Sequence, residues 1–95
     1  MRRLNPRQIE AFRAVVLTGG VSMAANLINV TQPAVSRMIR DLQRQLGLTL
    51  FERRGTGLVP TSEALSLYAE VERAFVGLDR IAQMATELRT RRAGF

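Results

Sequence analysis

The chain contains 95 residues, which is enough for one small domain but too few for an elaborate enclosed active site. It has neither cysteine nor histidine, so disulfides, thiolate chemistry and the usual zinc ligands are excluded, and we predict neither a metal nor a cofactor. All fourteen basic residues are arginine and the net charge is +6, which makes nucleic acid the leading candidate partner. An arginine-only set is also what a GC-rich genome produces, so the pattern along the chain has to decide.

The sequence carries no signal for a membrane or for export. No apolar run approaches the ~18 to 20 residues of a membrane span. The first residues, Met1-Arg2-Arg3, lead into a capped amphipathic segment and not into the apolar core of a signal peptide. We therefore expect a cytoplasmic protein that has no membrane partner.

Caps and helix breakers predict two helices at the start of the chain. Asn5 is placed to cap a first helix, which the pair Gly19-Gly20 ends. Ser22 is expected to cap a second, short helix that runs to Ile28, and small alanines in it permit close approach of a neighbouring helix. Asn29-Val30 then forms a tight turn.

A third helix is predicted from Gln32 to Leu46, with Thr31 as its cap and Gly47 as its stop. One face of this helix is an apolar stripe formed by Val35, Ile39, Leu42 and Leu46. The residues that lie mostly off the stripe are polar or basic: Gln32, Ser36, Arg37, Arg40 and Arg44. Two helices joined by a tight turn, the second of them amphipathic in this way, predict a helix-turn-helix.

In a helix-turn-helix the second helix enters the major groove of DNA, and its first residues lie nearest the base edges. We therefore predict base readout by Gln32, Pro33, Ser36 and Arg37, because glutamine can bridge adenine and arginine can bridge guanine. Arg40 and Arg44 lie further along the helix, where contact with phosphates is expected. The alternative for both is a solvated helix face that pairs with acids such as Asp41.

A small β-hairpin is predicted next. Residues 48–51 and 58–59 are short β-prone runs on either side of residues 52–57, which include two glycines. Arg53 and Arg54 near the tip make the hairpin a candidate wing over the DNA backbone or the minor groove. The alternative is a charged turn that prevents edge-to-edge strand pairing.

A long fourth helix is predicted to start at Pro60-Thr61 and to reach about Arg91. Apolar residues recur along it at alternating spacings of four and three, which is the repeat of a coiled-coil seam. At ~1.5 Å per residue the helix spans about 40 Å, too long for the preceding ~60 residues to cover. The alternative is a helix that folds back on its own domain. The seam begins at Ala64, and the residues predicted to form a dimer interface are Tyr68, Val71, Phe75, Leu78, Ala82 and Ala85.

These elements define a mainly α fold, a winged helix-turn-helix of three helices and a small β-hairpin wing followed by a long dimerisation helix. The expected domains are a DNA-binding domain over residues 1–60 and a linker and dimerisation helix over residues 61–92.

The assembled pattern resembles the N-terminal region of LysR-type transcriptional regulators over nearly the whole chain. The matching stretches are QIEAF at 8–12, SMAA at 22–25, VTQPAVSR at 30–37, LG at 46–47, LFER at 50–53 and the threonine at 61. The stretches at 10–15 and 73–78 are similar to regulators of opine and amino-acid catabolism.

The resemblance implies a bacterial regulator that dimerises through the linker helix, with dimers pairing into tetramers on inverted-repeat promoter DNA. It assigns base readout to Gln32, Pro33, Ser36 and Arg37 and phosphate contact to Arg53; we add Thr31, Arg40, Arg44 and Arg54 to the phosphate set. Such regulators usually continue into a domain that binds a small-molecule effector, and residues 91–95 look like the hinge that leads into it. We expect an excised DNA-binding domain, with a natural short regulator as the alternative.

Two positions depart from the family pattern. The family often has a basic residue three positions after the wing arginine, where this chain has Thr56, so insertion of the wing into the minor groove depends on Arg54. Ala64 replaces a common glycine, which leaves the start of the last helix intact.

Three other functions compete with sequence-specific binding of double-stranded DNA. A short regulator could act through its apolar helix alone, by capturing another regulator and preventing its assembly. An enzyme is disfavoured because the sequence shows no nucleophile-base pair, metal cluster or phosphate-cradling glycine loop. RNA binding is disfavoured because the few aromatic residues lie mostly at helical core positions and offer no stacking platform.

Overall fold

The computed structural model describes residues 3–92, and both Met1-Arg2 and the last three residues of the expected hinge lie outside them. Four helices and one antiparallel hairpin follow one another along the chain: α1 (Pro6–Thr18), α2 (Val21–Ile28), α3 (Gln32–Leu46), β1 (Phe51–Arg54), β2 (Gly57–Pro60) and α4 (Ser62–Arg92). The predicted fold class is confirmed.

Local capping explains the ends of α1 and α3. The Asn5 side chain accepts a hydrogen bond from the Arg7 amide at 2.9 Å, and the Thr31 hydroxyl accepts one from the Ala34 amide at 3.2 Å. Gly19 and Gly47 end the two helices in the left-handed region, with φ of 84° and 69°, where glycine has no steric penalty. Both helices have the bounds that the sequence predicts.

The predicted cap of α2 is wrong. This helix begins at Val21, one residue before Ser22, and its N-cap is Gly20, which makes no side-chain cap hydrogen bond. Because Ser22 lies inside the first turn, its hydroxyl is free to accept a hydrogen bond from the Gln32 side chain at 3.2 Å. A contact with the next helix has replaced the local cap.

The hairpin is shifted along the chain relative to the prediction. Residues 48–50 are not in a strand, whereas residues 52–54, predicted as loop, belong to β1, and Pro60, predicted to begin the last helix, ends β2 opposite Phe51. The chain turns through two residues only, 55 and 56, with Gly55 at a φ of 60°. Leu50 is fully buried, and its carbonyl accepts from the Thr61 amide at 2.9 Å and not from a partner strand.

The core lies between α1, α2 and α3. The apolar stripe of α3 faces inward through Val35, Ile39 and Leu42, and Phe12 and Val15 of α1 pack against it. The alanines of α2, Ala24 and Ala25, are buried, as close helix approach requires. The hairpin closes one side of the core, where the Phe51 ring lies 5.7 Å from that of Phe12.

The two halves of α4 have different surroundings. Ala64 and Val71 in its first half are buried against the helix-turn-helix, so this part of the helix packs on its own domain. From residue 78 to residue 92 every side chain is exposed, and large apolar residues remain among them. No helix in the described part of the chain is both long enough and apolar enough to cross a membrane.

Candidate nucleic-acid interface

The first turn of α3 is exposed to solvent. Gln32, Pro33 and Arg37 are exposed, and Ser36 is half-buried one turn into the helix. The Thr31 cap and the hydrogen bond from Gln32 to Ser22 fix the start of α3 against α2. The four residues predicted to read bases therefore lie together on one exposed helix end.

A cleft of about 220 Å³ separates α3 from the hairpin, and it brings residues from both elements together. Ser36 and Arg40 line it from the helix, and Arg53 lines it from β1. Because side chains alternate along a strand, Arg54 points to the opposite face of the hairpin. Of the two predicted wing arginines, Arg53 is the one that shares a cleft with α3.

Gln43 connects α3 to the hairpin, a role that the sequence analysis missed. Its side-chain oxygen accepts hydrogen bonds from the Leu50 amide at 2.7 Å and from the Phe51 amide at 3.3 Å. Leu50 immediately precedes β1 and Phe51 is its first residue, so Gln43 holds the start of the hairpin. In the sequence, the only sign of this role was that Gln43 is a polar residue on the side of α3 that turns toward the hairpin.

The other strand of the hairpin is attached to the α1–α2 turn. The Leu58 amide donates to the Gly19 carbonyl at 3.1 Å, and a side-chain carbon placed on Gly57 would lie 3.1 Å from the same oxygen. Such a distance is too short for comfortable packing, so glycine permits the close approach. The wing is therefore held from both sides, by α3 and by the turn before α2.

The exposed charges of α3 and the hairpin are mostly arginine. Arg37, Arg40, Arg53 and Arg54 are exposed, and none of them takes part in an ion pair within residues 3–92. Arg44 lies 3.4 Å from Asp41, which is the solvated pairing considered as the alternative for it. An exposed pair of this kind contributes little and can open when a phosphate approaches. No cluster of acidic residues able to hold a metal ion is found in the described chain.

The predicted dimer residues fall into two groups. Val71 is 8% exposed and belongs to the core of its own domain, and Tyr68 and Phe75 are half-buried. Leu78, Ala82 and Ala85 are exposed, although Leu78 still borders a shallow concavity that Pro6 and Glu10 of α1 also line. The alternative of a helix folded on its own domain is thus found for the first half of α4, and an uncovered apolar face remains on the second half.

Between α1 and α4 lies a charged contact that the sequence analysis did not identify. Arg13 Nε donates to Glu72 Oε1 at 2.5 Å, and the guanidinium carbon lies 4.6 Å from the centre of the Phe75 ring. The hydrogen bond to Glu72 raises the pKa of Arg13 above its ordinary value, and burial, aided by Glu72, raises the pKa of Tyr68. At neutral pH the arginine is therefore charged and the tyrosine neutral.

Three helices, a hairpin that shares an arginine-lined cleft with the third, and a long helix leading away define a winged helix-turn-helix of the DNA-binding class. The family of bacterial regulatory helix-turn-helix proteins named lysR matches residues 6–65. The chain belongs to this family and forms its DNA-binding domain, as the sequence predicts.

Relatives and solved structures agree with this assignment. The chain is 54% identical over 91 residues to the octopine catabolism/uptake operon regulatory protein OccR of Rhizobium meliloti, covering 96% of this chain and 31% of that protein. It is 44% identical over 94 residues to the transcriptional activator protein LysR of Escherichia coli, covering 99% and 30%. The chain thus spans about 30% of the length of these relatives.

Two solved structures of DNA-binding domains on DNA share the fold. The BenM domain in complex with benA site 1 DNA superposes with a TM-score of 0.81 at 27% identity, covering 90% of this chain and 96% of that one. The CbnR domain in complex with DNA gives a TM-score of 0.77 at 27% identity, covering 97% and 100%.

Proposed function

We propose that this chain binds a specific double-stranded DNA sequence as a dimer and is the promoter-recognition module of a bacterial transcriptional regulator. The observation that carries the proposal is the exposed first turn of α3 beside a cleft that Arg53 of the wing also lines. A helix enters the major groove by such an end, while the wing lies over the adjacent backbone.

The roles of the individual side chains follow from their positions. Gln32 and Arg37 are exposed on the leading end of α3. Once it leaves Ser22, Gln32 offers one donor and one acceptor to adenine, and Arg37 offers two donors to guanine. Pro33 and Ser36 lie on the same end of α3 and form part of the surface that enters the groove. Arg40 and Arg53 face the cleft and contact phosphates, which sets register without reading sequence.

The remaining predicted phosphate contacts have weaker support. The Thr31 hydroxyl oxygen accepts from the Ala34 amide to cap α3, so its hydroxyl hydrogen is left to donate to a phosphate. Arg44 must first leave Asp41. Arg54, on the opposite face of the hairpin, contacts DNA only if the wing tip enters the minor groove.

Dimer formation is supported by the uncovered face of α4. Leu78 and Ile81 are 58% and 67% exposed, which is unusual for large apolar residues on a helix with a regular seam. Residues 62–75 carry three glutamates and one arginine, whereas residues 76–92 carry two acids and four arginines. An antiparallel pair of α4 helices places the acidic half of each beside the basic half of the other.

The names of the relatives support a more specific proposal about the type of regulator to which the chain belongs. Since OccR is named as an octopine catabolism/uptake operon regulatory protein, we propose that the chain serves a regulator of opine or amino-acid catabolism in the cytoplasm. An effector-binding domain and tetramers on inverted-repeat DNA belong to that longer protein. The chain itself acts by binding and not by catalysis. The uncovered α4 face also favours a second candidate, an antiactivator that captures another regulator's helix.

The test begins by selecting bound sequences from a random duplex library, because the operator is not known. Fluorescence anisotropy then compares the selected duplex with a scrambled duplex of equal composition, at low and at physiological salt. We expect a preference for the selected duplex of about 10³-fold that survives physiological salt. Equal binding to both duplexes that is lost at physiological salt would mean that the interface is only a basic surface without sequence preference.

A pair of variants makes the test specific to α3. Arg37→Ala is expected to lose part of the preference for the selected duplex, whereas Arg7→Ala, which removes the same charge from the exposed start of α1, leaves it intact. If the two variants lose equally, net charge and not α3 carries the binding. Retained dimers with no DNA preference would favour the antiactivator.

A further inference from the structure

Arg13 of α1 holds α4 through a contact that we name the clasp, consisting of Arg13, Glu72 and Phe75. The guanidinium donates to the Glu72 carboxylate at 2.5 Å and lies over the Phe75 ring, 4.6 Å from its centre. The Arg13 and Glu72 side chains are about one third exposed, at 32% and 37%. Arg13 therefore makes two directional contacts with two successive turns of α4, which constrain the direction of that helix.

The clasp lies where α4 leaves the domain. Phe75 is half-buried, and the large apolar side chains of α4 beyond it are exposed. Residues 68, 72 and 75 recur at spacings of four and three, so the clasp and Tyr68 occupy one face of α4. A change in the clasp would therefore change the direction in which the rest of α4 extends.

Apolar packing leaves α4 room to tilt. Next to the α1–α4 contact there is an apolar groove of about 280 Å³, which Leu67, Val71 and Ala74 of α4 line. On its other side the groove is lined by α1 and α3, chiefly by Ile9, Phe12 and Leu42. Ala64 and Val71 anchor the helix, but open space along one side limits how far their packing alone fixes its tilt, so the directional contacts of the clasp carry more of the constraint.

A small tilt at the clasp becomes a large displacement at the end of α4. Residues 76–92 extend about 25 Å beyond Phe75 at ~1.5 Å per residue. A tilt of about 10° would move the far end by about 4 Å, close to the ~3.4 Å rise of one base pair. If two copies join through this part of α4, the tilt changes the separation of their recognition helices.

We propose that Arg13 and Glu72 are positioning residues that determine which spacing between two half-sites the dimer accepts. The proposal rests on the proposed function, that is, on a dimer joined through α4 and bound to DNA through α3. Neither residue needs to touch DNA. The clasp fixes the exit angle of α4, and the exit angle fixes the distance between the two copies of α3.

The experiment uses duplexes that carry two identical half-sites separated by spacers that differ by one base pair, together with a duplex that carries one half-site. Wild type is expected to bind best at one spacing and about tenfold more weakly at the neighbouring spacings, within the usual range of coupling between sites. Arg13→Met and Glu72→Gln are expected to flatten or shift this profile by at least about threefold while binding the single half-site as wild type does.

The controls separate positioning from stability. Arg73→Met removes the same charge from a neighbouring exposed position of α4, where the arginine lies 3.9 Å from Glu70, and should leave the spacing profile unchanged. The exchanged pair Arg13→Glu with Glu72→Arg should restore a single best spacing. Sedimentation and thermal unfolding measure whether each variant is a folded dimer. If Arg13→Met does not fold, the isosteric Glu72→Gln variant tests the proposal on its own.

Each outcome decides the proposal. If the variants lose affinity equally at every spacing, or keep the wild-type profile, Arg13 and Glu72 are merely structural and the proposal is overturned while the proposed function stands. If wild type is monomeric or shows no best spacing, the proposed function as a DNA-binding dimer is wrong. The spacing role, which rests on that function, is then wrong as well.

Discussion

The first and second halves of α4 carry the same apolar repeat, yet they have different surroundings. Residues 62–75 bury Ala64 and Val71 against the helix-turn-helix, whereas residues 78–92 are exposed throughout. A seam repeat specifies that an apolar face must be covered, but it does not specify by which chain. The lesson is that one continuous pattern here serves two purposes, attachment to the domain and assembly with another molecule.

The largest expected effect comes from comparing the core with the distal half of α4. Leu42, which is 1% exposed, should lose about 2 to 5 kcal/mol of unfolding free energy on Leu42→Ala. Urea unfolding should show this loss at every protein concentration. Ile81→Ala, on the exposed half, should mainly abolish the rise of the midpoint with concentration that a dimer produces. A concentration-independent loss for Ile81→Ala would place that residue in the fold of the monomer.

The next effect separates base readout from backbone contact. Arg37→Ala should cost about 1 to 3 kcal/mol on the preferred duplex and relax specificity at one base pair. Arg53→Ala should weaken all duplexes similarly and reduce the salt slope by about 1. Anisotropy titrations on single-base variants of the duplex measure both. Arg54→Ala, on the opposite face of the hairpin, is the matched control and should change the slope less; a reversal of Arg37 and Arg53 would contradict the groove assignment.

A smaller effect is expected from Gln43, which holds the wing. Gln43→Leu leaves the Leu50 and Phe51 amides without their acceptor and should cost about 1 to 2 kcal/mol of unfolding free energy. Hydrogen exchange of the Leu50 amide should accelerate with it. Gln43→Glu keeps an acceptor at the same place and should retain the slow exchange. Unchanged exchange in Gln43→Leu would mean that the wing is held by other contacts.

The smallest effect compares two glycines. Gly57→Ala forces the Gly19 carbonyl to move and should lower stability by about 1 kcal/mol. Gly77→Ala, within α4 and with no atom outside the neighbouring helix backbone within 4 Å of the added carbon, should instead raise helix stability by about 0.5 to 1 kcal/mol. Thermal melts of the two variants give the signs. The same sign for both would show that Gly57 is not a close-approach position.

Local chemistry made much of this fold predictable. The caps at Asn5 and Thr31 and the left-handed glycines act within a few residues, so the bounds of α1 and α3 could be read directly. The exposed first turn of α3 followed from those bounds. The family pattern then supplied the role of this turn.

The parts that could not be predicted depend on contacts between distant residues. Ser22 looked like a cap but bonds to Gln32, ten positions later. The register of the hairpin follows from the burial of Leu50 and from the Gln43 and Thr61 hydrogen bonds, none of which appears in a β-propensity pattern. Arg13 was given no contact from the sequence, because its partner Glu72 lies 59 positions away.

The most direct test of the account is whether the distal half of α4 joins two copies without taking part in the fold of the domain. Leu78→Asp combined with Ile81→Asp should give a monomer by sedimentation whose affinity for one half-site equals that of wild type. Its affinity for the paired site should fall about 10²-fold. Gln83→Asp with Thr90→Asp, which adds the same charge off the seam, should remain dimeric. A double variant that still dimerises, or that also loses binding to a single half-site, would contradict the division of α4 into an attached half and an assembly half.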